Sequence, residues 1–277
     1  MDLYLKNALD CSRKTTLNYS TSFSLGVRSL DYETQKAIYA IYGFVRFADE
    51  IVDTFYDQDQ EAVFSDFVQQ TDEAITASFS TNPILHSFQW VVHKYDIDQA
   101  YIDAFLKSME MDLKMTVHDK NSFDTYVYGS AEAVGLMCLC VFCAGDREKF
   151  SKLVSPARKL GSAFQKINFL RDLKDDFKDR GRNYFPGVDF NRFDDDLKHR
   201  LETEIQQEFD EAFEGILALQ SSVRLGVLLA YTYYNELLIK IKRTPAHAIM
   251  NKRCRISDQY KMWLLFKVLV KNQIYSI

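Results

Sequence analysis

The stretch GSAFQKINFLRDLKDD, residues 161–176, contains no proline and predicts one helix. At about 100° per residue its polar side chains share a stripe about 60° wide, with the last acid just beside it. These side chains are Gln165, Asn168, Asp172 and Asp176. Apolar residues occupy the other faces, so carboxylates would crowd beside buried surface, which is unfavourable unless a cation binds there. A solvated acidic helix face has the same pattern, and this stretch alone leaves both interpretations open.

A second acidic stripe is predicted on a helix from Tyr32 to Asp53. On a helical wheel Asp49 and Asp53 share a stripe about 60° wide with Arg46 and Tyr42. Two aspartates four residues apart are common on exposed helices, so this spacing is a weak signal by itself. The arginine one turn before the acids and the apolar residues around them favour a functional site.

Composition predicts an all-α protein. Only four of the 277 residues are proline and ten are glycine, and long stretches contain neither. The 47% hydrophobic content is sufficient for a large core, and no repeat or linker is visible, so we expect a single domain spanning residues 1–277. The aromatic share of 14% predicts a thick core, an apolar cavity lined by rings, or both.

Charge and targeting signals exclude several function classes. The net charge of −5, with both signs dispersed, does not indicate a nucleic-acid surface. The start MDLYLKNALD lacks the pattern of a signal peptide, and the longest uncharged apolar run, residues 133–145, is shorter than the roughly 20 residues that span a bilayer. We therefore expect a cytoplasmic protein that at most attaches to a membrane surface.

The cysteines and histidines show no zinc-binding pattern. Cys140 and Cys143 form a lone CxxC within an apolar run, which predicts buried structural thiols in a reducing compartment. His86, His93 and His118 lack the close spacing of metal ligands and are expected to be structural.

Two further segments can serve a ligand. The hydroxyl-rich segment YSTSFSLG, residues 19–26, is typical of helix caps, and its hydroxyls could equally hold a phosphate. A third helix is predicted from Ser122 to Ala144, with Tyr128, Glu132 and Gly135 on one stripe. The small residue on that stripe leaves room for an apolar group.

The last third of the chain contains two basic segments. The loop DRGRNYFPGVDF, residues 179–190, follows the acidic helix and predicts either a cover over a charged ligand or a plain salt-bridged connection. A basic and apolar helix is predicted at residues 253–271, where MWLLFKVLV fits core packing better than a membrane-surface strip.

Two acidic helices that face each other across a cavity can hold divalent ions between them. Oxygen ligands without His or Cys indicate Mg²⁺, or Mn²⁺, and such ions usually complete their shell with waters and substrate phosphates. Arg46 and Arg171 are placed to bind the remaining phosphate oxygens. Within an aromatic and aliphatic cavity, the predicted substrate is an apolar chain ending in a diphosphate. The metal would stabilise the departing diphosphate, and the dry cavity and its aromatic faces would protect a carbocation.

Five sequence blocks, in this order, resemble the squalene/phytoene synthase family, most closely its bacterial phytoene and dehydrosqualene synthases. The blocks are YSTSFSLG, AIYGFVRFADEIVD, YVYGSAEAVGLM, LGSAFQKINFLRDLKDD and GRNYFP. The paired motifs DxxxD and NxxRDxxxD are specific in this order, and a fainter likeness continues through YNELLIKI to Arg253 and Ser257. The resemblance therefore covers nearly the whole chain.

The resemblance implies a class I isoprenoid synthase fold, a helical bundle around a central cavity. It implies catalytic aspartates that bind Mg²⁺ together with one amide: Asp49, Asp53, Asn168, Asp172 and Asp176. It places near the diphosphates the side chains of Ser20, Ser22, Tyr42, Arg46, Gln165 and Arg171. It places in the pocket the rings of Phe23 and Tyr128. The chain departs from the family at Glu132, where a glycine is frequent, and at Asp49–Glu50, where some relatives have two aspartates.

The reaction that the resemblance implies is head-to-head (1′-1) condensation of two prenyl diphosphates through a cyclopropylcarbinyl diphosphate. The leading prediction is conversion of geranylgeranyl diphosphate to phytoene for carotenoid biosynthesis, without NADPH. One alternative is a C15 enzyme that makes squalene or dehydrosqualene. A non-catalytic assembly-factor relative is a second alternative, although it would have lost the acids that this chain keeps. A class I terpene cyclase shares the metal chemistry but uses a different second motif.

Overall fold

The computed structural model describes residues 2–179 and 181–275, with the side chains of residues 21, 22, 178, 179, 191 and 271–275 left out. Apart from one isolated parallel bridge between Val117 and Asn183, these residues form no β-structure, which confirms the all-α prediction. The α-helices are α1 (Leu3–Tyr19), α2 (Thr21–Val27), α3 (Tyr32–Thr54), α4 (Gln60–Ala77), α5 (Pro83–Tyr95), α6 (Gln99–Lys114), α7 (Lys120–Val127), α8 (Val134–Cys143), α9 (Arg147–Leu173), α10 (Asp195–Leu217), α11 (Ser221–Lys242), α12 (Ala246–Ile249) and α13 (Asp258–Tyr275). Two π-helical turns, Tyr128–Ala133 and Lys174–Asp179, and a 3₁₀ turn, Phe190–Arg192, complete the helical structure.

Side-chain caps fix where many of these helices begin. At eight helix starts a carboxylate or amide oxygen accepts a backbone N–H of the first turn, which satisfies a donor that the helix itself leaves free. The capping residues are Asp2, Asp31, Asp59, Asn82, Asp98, Asp119, Asp146 and Asp194. Seven of the chain's acidic residues therefore serve as helix caps, and these aspartates are separate from the predicted site.

Helix α3 contributes buried residues to one hydrophobic core and α9 to a second. In the first core Phe44 stacks on Phe88 of α5 with ring centroids 3.8 Å apart, and both rings are fully buried. In the second, Ile167 and Leu170 of α9 are buried with Phe209 of α10 and residues of α11. The two predicted acidic helices thus belong to neighbouring cores, and the space between the cores becomes available for a ligand.

The helix predicted for residues 161–176 begins earlier than expected. It starts at Arg147 and includes Pro156, so the prediction of a helix beginning after this proline was wrong. The proline ring packs on Gly215 of α10, where a Cβ would lie 2.4 Å from the proline Cβ. This close packing stabilises a proline that would otherwise weaken the helix interior. After Leu173 the chain continues in a wider π turn that carries Asp176.

The helix predicted from Ser122 to Ala144 is likewise interrupted, by the π turn Tyr128–Ala133. At this turn Gly129 presses against α6, where a Cβ would lie 2.0 Å from the carbonyl oxygen of Ala104. The Ser108 hydroxyl donates to the Tyr126 carbonyl at 3.1 Å, which helps to satisfy backbone that the wider turn displaces. By length and hydropathy alone the combined helix is a candidate membrane span, but half of its most apolar window is buried inside the protein.

Candidate active site

A cavity of about 380 Å³ lies between the two cores, bounded by α2, α3, α8, α9, α10 and α11. Most of its wall is aliphatic or aromatic, with contributions from Phe23, Ile41, Phe142, Leu160, Ile216 and Val227. Its polar lining residues are Ser20, Tyr42, Ser130, Gln165, Asn168, Arg171, Tyr233 and Tyr234. The cavity is therefore amphipathic, with a long apolar wall and a group of polar side chains from α3, α9 and α11.

Contacts among the polar lining residues place them together at one end. The Tyr234 hydroxyl donates to Asn168 Oδ1 at 3.2 Å, and Asn168 Nδ2 donates to Gln165 Oε1 at 3.4 Å. Burial raises the pKa of Tyr42 to about 12, with Ser20 hydrogen-bonded to its phenol. Tyr42 therefore remains a neutral hydrogen-bond donor throughout the physiological pH range. We refer to this end of the cavity, with the adjoining acids of α3 and α9, as the mouth.

The first acidic row lies on α3 beside the mouth. Arg46 Nη1 donates to Asp49 Oδ2 at 2.5 Å, and Arg46 also binds Glu50. Burial raises the pKa of Asp49 to about 7. The negative charge of Asp53 adds to this increase, and the positive charge of Arg46 opposes it. Arg46 therefore does not fully compensate the negative charges of the acids on α3.

The second acidic row lies at the end of α9 and on the π turn after it. Asp172 accepts from Arg171, with Nε 2.9 Å from Oδ1 and Nη2 2.5 Å from Oδ2. Arg253, from the segment between α12 and α13, also reaches Asp172, with Nε 2.6 Å from Oδ1. The sequence analysis assigned no role to this arginine, because only the fold brings it to a carboxylate that is distant along the chain.

One residue of the basic loop connects the two rows. Arg182 Nη1 donates to Asp53 Oδ1 at 2.8 Å, and the backbone N–H of Arg182 donates to the Asp176 carbonyl at 2.8 Å. Both aspartates are only partly exposed, and both lie on this same side of the molecule. The loop therefore makes a salt-bridged connection here, one of the two alternatives that the sequence left open.

A buried carboxylate behind the mouth, Asp112 of α6, was missed by sequence reasoning. It accepts hydrogen bonds from the hydroxyls of Tyr126 at 2.6 Å and Tyr184 at 2.9 Å. Its Oδ1 lies 4.0 Å from Arg182 Nη1, and Arg182 Nη2 donates to its backbone carbonyl at 3.2 Å. Burial raises the pKa of Asp112 to about 6, against the opposing influence of Arg182. Asp112 thereby holds the guanidinium that contacts Asp53.

The remaining predicted residues differ in their placement. Phe23 lines the cavity and stacks on Tyr42 with ring centroids 4.7 Å apart. The side chain of Ser22 lies outside the described part of the structure. Tyr128 and Glu132 are not among the described lining residues; both contact Arg158, whose guanidinium carbon lies 5.2 Å from the Tyr128 ring and whose Nε donates to Glu132 at 2.6 Å.

The π turn explains this placement. It changes the direction in which successive side chains project, so the stripe drawn on a regular helix no longer applies. From this stretch the cavity receives Ser130, Ala131, Val134 and Gly135 instead. Gly135 lines the cavity, in agreement with the prediction, while Glu132 pairs with Arg158.

Cys140 and Cys143 are buried free thiols, as predicted, and the other three cysteines are also free and are buried or half-buried. Burial raises the pKa of Cys138 and of Cys140 to about 12, so neither is a reactive thiolate at neutral pH. Cys138 also lines the cavity. Within the part of the chain that the structure describes, no group of three or more His, Cys, Asp or Glu side chains is arranged to hold a metal by itself.

Comparisons with known proteins agree with this architecture. The family described as squalene/phytoene synthase matches residues 16–259. The chain is 27% identical to a phytoene synthase of Arthrospira platensis over 286 residues, covering 94% of this chain and 91% of the relative. It is 25% identical to a 4,4'-diapophytoene synthase of Staphylococcus haemolyticus, covering 79% and 76%. A crystal structure of a dehydrosqualene synthase in complex with ligand superposes with a TM-score of 0.84 at 22% identity, covering 98% of each chain.

The structural likeness confirms the expected helical isoprenoid synthase fold. The family match extends over most of the chain and includes both acidic motifs. Relatives that align over nearly the full length are phytoene synthases, which are prenyltransferases. The chain therefore belongs to the squalene/phytoene synthase family and is a prenyltransferase.

Proposed function

We propose that the chain is a phytoene synthase, which joins two geranylgeranyl diphosphates head to head (1′-1) through a cyclopropylcarbinyl diphosphate. The observation that carries this proposal is an apolar cavity whose polar end adjoins acidic rows from α3 and α9. The apolar wall suits a hydrocarbon chain, and the polar end suits a diphosphate. Alignment with a phytoene synthase over 94% of the chain supports the C20 substrate.

The donor set at the mouth fits Mg²⁺ or Mn²⁺. Asp49, Asp53, Asn168, Asp172 and Asp176 offer hard oxygen atoms, and the raised pKa of Asp49 marks negative charge that the chain does not compensate. When bound, the metal supplies Lewis acidity that stabilises the departing diphosphate.

The arginines of the mouth bind and orient the diphosphates in this proposal. Arg46, Arg171, Arg182 and Arg253 each contact an acid of one of the two rows. A guanidinium binds phosphate oxygens in the same two-pronged geometry that it uses for carboxylates, so these groups can exchange one anion for another. Tyr42 and Tyr234 keep their hydroxyl protons and can donate to diphosphate oxygens.

The cavity wall protects the cationic hydrocarbon after the diphosphate leaves. Phe164 stacks on Tyr234 at 4.0 Å, and Phe23 stacks on Tyr42 at 4.7 Å, so aromatic faces flank the polar end. Ring faces stabilise a nearby cation through their quadrupoles, and the aliphatic wall beyond them excludes water that would capture it. The second diphosphate then leaves the cyclopropylcarbinyl intermediate and the carbon skeleton rearranges. Loss of a proton from the resulting cation gives a conjugated triene without a reductant.

A C15 enzyme of the same family is the second candidate, favoured by the 25% identity to a 4,4'-diapophytoene synthase. The test is incubation of the purified chain with Mg²⁺ and either geranylgeranyl or farnesyl diphosphate, followed by identification of the hydrocarbon. Phytoene from the C20 substrate, formed in preference to any C30 product, is the expected result. Preferential C30 product supports the second candidate, a cyclic product supports a terpene cyclase, and consumption of neither substrate removes the proposal.

A further inference from the structure

Helix α13 has two apolar faces, and only one of them packs against the rest of the protein. Leu264 and Val268 are buried, and Val268 joins Leu228 and Leu229 of α11 in a small hydrophobic cluster. The opposite side exposes a stripe that we call the outer face, formed by Met262, Trp263, Phe266, Leu269 and Val270. Their spacing of one, four, seven and eight residues places all of them on one side of a helix. The sequence predicted that this segment packs in the core. That prediction holds only for the face that carries Leu264 and Val268.

The outer face is unusually apolar for a protein surface. Phe266 is 66% exposed, Met262 55% and Trp263 49%. Other exposed large hydrophobic residues, such as Leu3, Tyr32 and Phe79, are distributed over separate segments of the chain. Single exposed apolar residues are ordinary, whereas a continuous apolar stripe marks a surface that binds something.

Basic side chains accompany the outer face. Residues 221–270 contain nine Lys and Arg against two Asp and Glu, in a chain whose net charge is −5. Four exposed basic residues lie near the start of α13: Lys240 and Arg243 at the end of α11, and Lys252 and Arg255 in the segment before α13. Lys240 donates to the Arg255 carbonyl, and the charge of Arg243 acts on Tyr260, which places these groups beside one another. We call these four residues the basic belt.

The residues of α13 itself suit the boundary between water and hydrocarbon. Lys267 lies with its ammonium 5.1 Å from the Trp263 ring centroid, and Tyr260 stacks on the same ring at 5.2 Å. Tryptophan, tyrosine and the long stems of lysines are favoured at membrane interfaces because each joins an apolar body to a polar tip.

We infer that the outer face of α13 and the basic belt form a docking surface for a lipid bilayer that contains anionic headgroups. The apolar stripe enters the headgroup region, and the belt binds lipid phosphates. A second copy of the chain is the competing occupant, and it would appear as a dimer that forms without lipid. Helix α11 alone separates α13 from the cavity: Val227 of α11 lines the cavity and belongs to the cluster that holds Val268.

The test is flotation of the full chain with phosphatidylcholine vesicles made with and without phosphatidylglycerol. We expect binding to the anionic vesicles to be at least about tenfold stronger than to the neutral ones. Phe266→Asp should weaken that binding by about tenfold or more, because it removes a large apolar side chain from the buried side of the contact. Lys252→Glu combined with Arg255→Glu should remove the preference for anionic vesicles. Phe79→Asp, a phenylalanine 54% exposed on another surface, is the matched control and should bind like wild type.

Three outcomes would overturn the inference: no binding of the wild-type chain to anionic vesicles, equal weakening by Phe79→Asp and Phe266→Asp, or a lipid-free dimer that Phe266→Asp dissociates. The last outcome would identify a second copy as the occupant, and sedimentation velocity measures it. A thermal unfolding midpoint like that of wild type, together with wild-type turnover of detergent-dispersed substrate, would show that Phe266→Asp is folded. Vesicle binding needs no substrate, so its failure is distinguishable from failure of the proposed function.

Discussion

Helix α9 carries charged groups on two sides, toward α10 and toward the mouth of the cavity, and the two sets differ in how their charge is balanced. Toward α10, Lys166 Nζ lies 2.5 Å from Glu204 and 2.9 Å from Glu208, and the Ser162 hydroxyl donates to Glu208 at 3.0 Å. Toward the mouth, Asp172 pairs with Arg171 and Arg253, while the α3 acids Asp49 and Asp53 crowd each other beside the same polar end of the cavity. Helix α9 therefore takes part in one site that is balanced within the chain and borders a second site, where Asp49 and Asp53 of α3 crowd negative charge.

The causes of the pKa shifts make this difference explicit. Burial raises the pKa of both Glu208 and Asp49. For Glu208 the next influence is the positive charge of Lys166, which lowers the pKa, whereas for Asp49 it is the negative charge of Asp53, which raises it further. Buried charges that hold helices together are neutralised by the fold. Charges that the fold leaves crowded are the ones for which a ligand must supply the counter-charge.

The largest expected effect is a loss of turnover when an acid at the mouth of the cavity is replaced. Asp49→Ala or Asp172→Ala should lower kcat by about 10³-fold or more, because each removes a carboxylate that we propose assists ionisation of the substrate. Steady-state turnover with geranylgeranyl diphosphate measures the effect. Asp175→Ala is the matched control, since this acid lies on the same π turn but pairs loosely with Lys174 at 3.7 Å, and its turnover should stay near wild type. Turnover within tenfold of wild type in both site variants would remove the metal assignment.

The next effect should appear in stability alone. Lys166→Met leaves Glu208 buried without its cation and should lower the free energy of unfolding by about 3 kcal/mol at pH 8. Urea denaturation measures the loss, and kcat of the folded fraction should not change. Lys159→Met is the control, because Lys159 pairs with Glu211 at 3.1 Å on an exposed part of the same helix pair and should cost below about 1 kcal/mol.

A replacement of both buried partners sharpens this comparison. Lys166→Met combined with Glu208→Leu removes the uncompensated charge and should recover much of the lost stability. A double variant as unstable as Lys166→Met would show that packing, and not charge balance, decides the stability of this interface.

A pH dependence should distinguish Asp112 from exposed acids. Its pKa is raised from 3.8 to about 6, so the folded protein retains a proton that the unfolded chain has released. This contribution to stability is complete below about pH 4 and is lost as the pH rises through 6, up to about 3 kcal/mol in total. Urea denaturation from pH 4 to 7 should therefore show a smaller decline for Asp112→Asn than for wild type. Asp103→Asn, at an exposed position of the same helix, should keep the wild-type slope, and an equal slope in Asp112→Asn would contradict the assignment.

The smallest effect tests the metal without turnover. Mg²⁺ at about 100 times its dissociation constant should stabilise the wild-type chain by about 2.7 kcal/mol, which a rise in Tm reports. The rise should be the same for Lys166→Met and absent from a variant that combines Asp49→Asn with Asp53→Asn. An equal rise in that double variant would place the ion elsewhere in the molecule.

The sequence predicted the helical fold well because its signals are local. Aspartate and asparagine caps, few helix breakers and two i, i+4 acidic stripes are all readable from neighbouring residues, and the order of the motifs identified the family. The two π turns were not predicted, since they depend on contacts such as Gly129 against Ala104, which no local periodicity contains. Tyr128 and Glu132 were consequently assigned to the cavity side of a helix that is not regular there.

The parts of the site that were missed share a dependence on tertiary structure. Arg253 is 81 residues from Asp172 in sequence, and Asp112 is 72 residues from Tyr184. Neither residue belongs to a compact motif, and each becomes recognisable only when its partner is adjacent. A lone acid such as Asp112 on a helix that is otherwise largely apolar toward the core was the one signal that sequence reasoning could have used.

Arg182 has a consequence for how a ligand enters the site. Its guanidinium donates a hydrogen bond to a carboxylate oxygen of Asp53, while its backbone N–H donates to the carbonyl of Asp176. We therefore expect an arriving cation to displace the guanidinium instead of adding beside it, and the tied backbone to keep the released group within reach of the phosphates that arrive with the ion. In the proposed site, substrate capture would therefore be an exchange of partners at Asp53, in which the cation replaces Arg182 and the phosphates receive the released guanidinium.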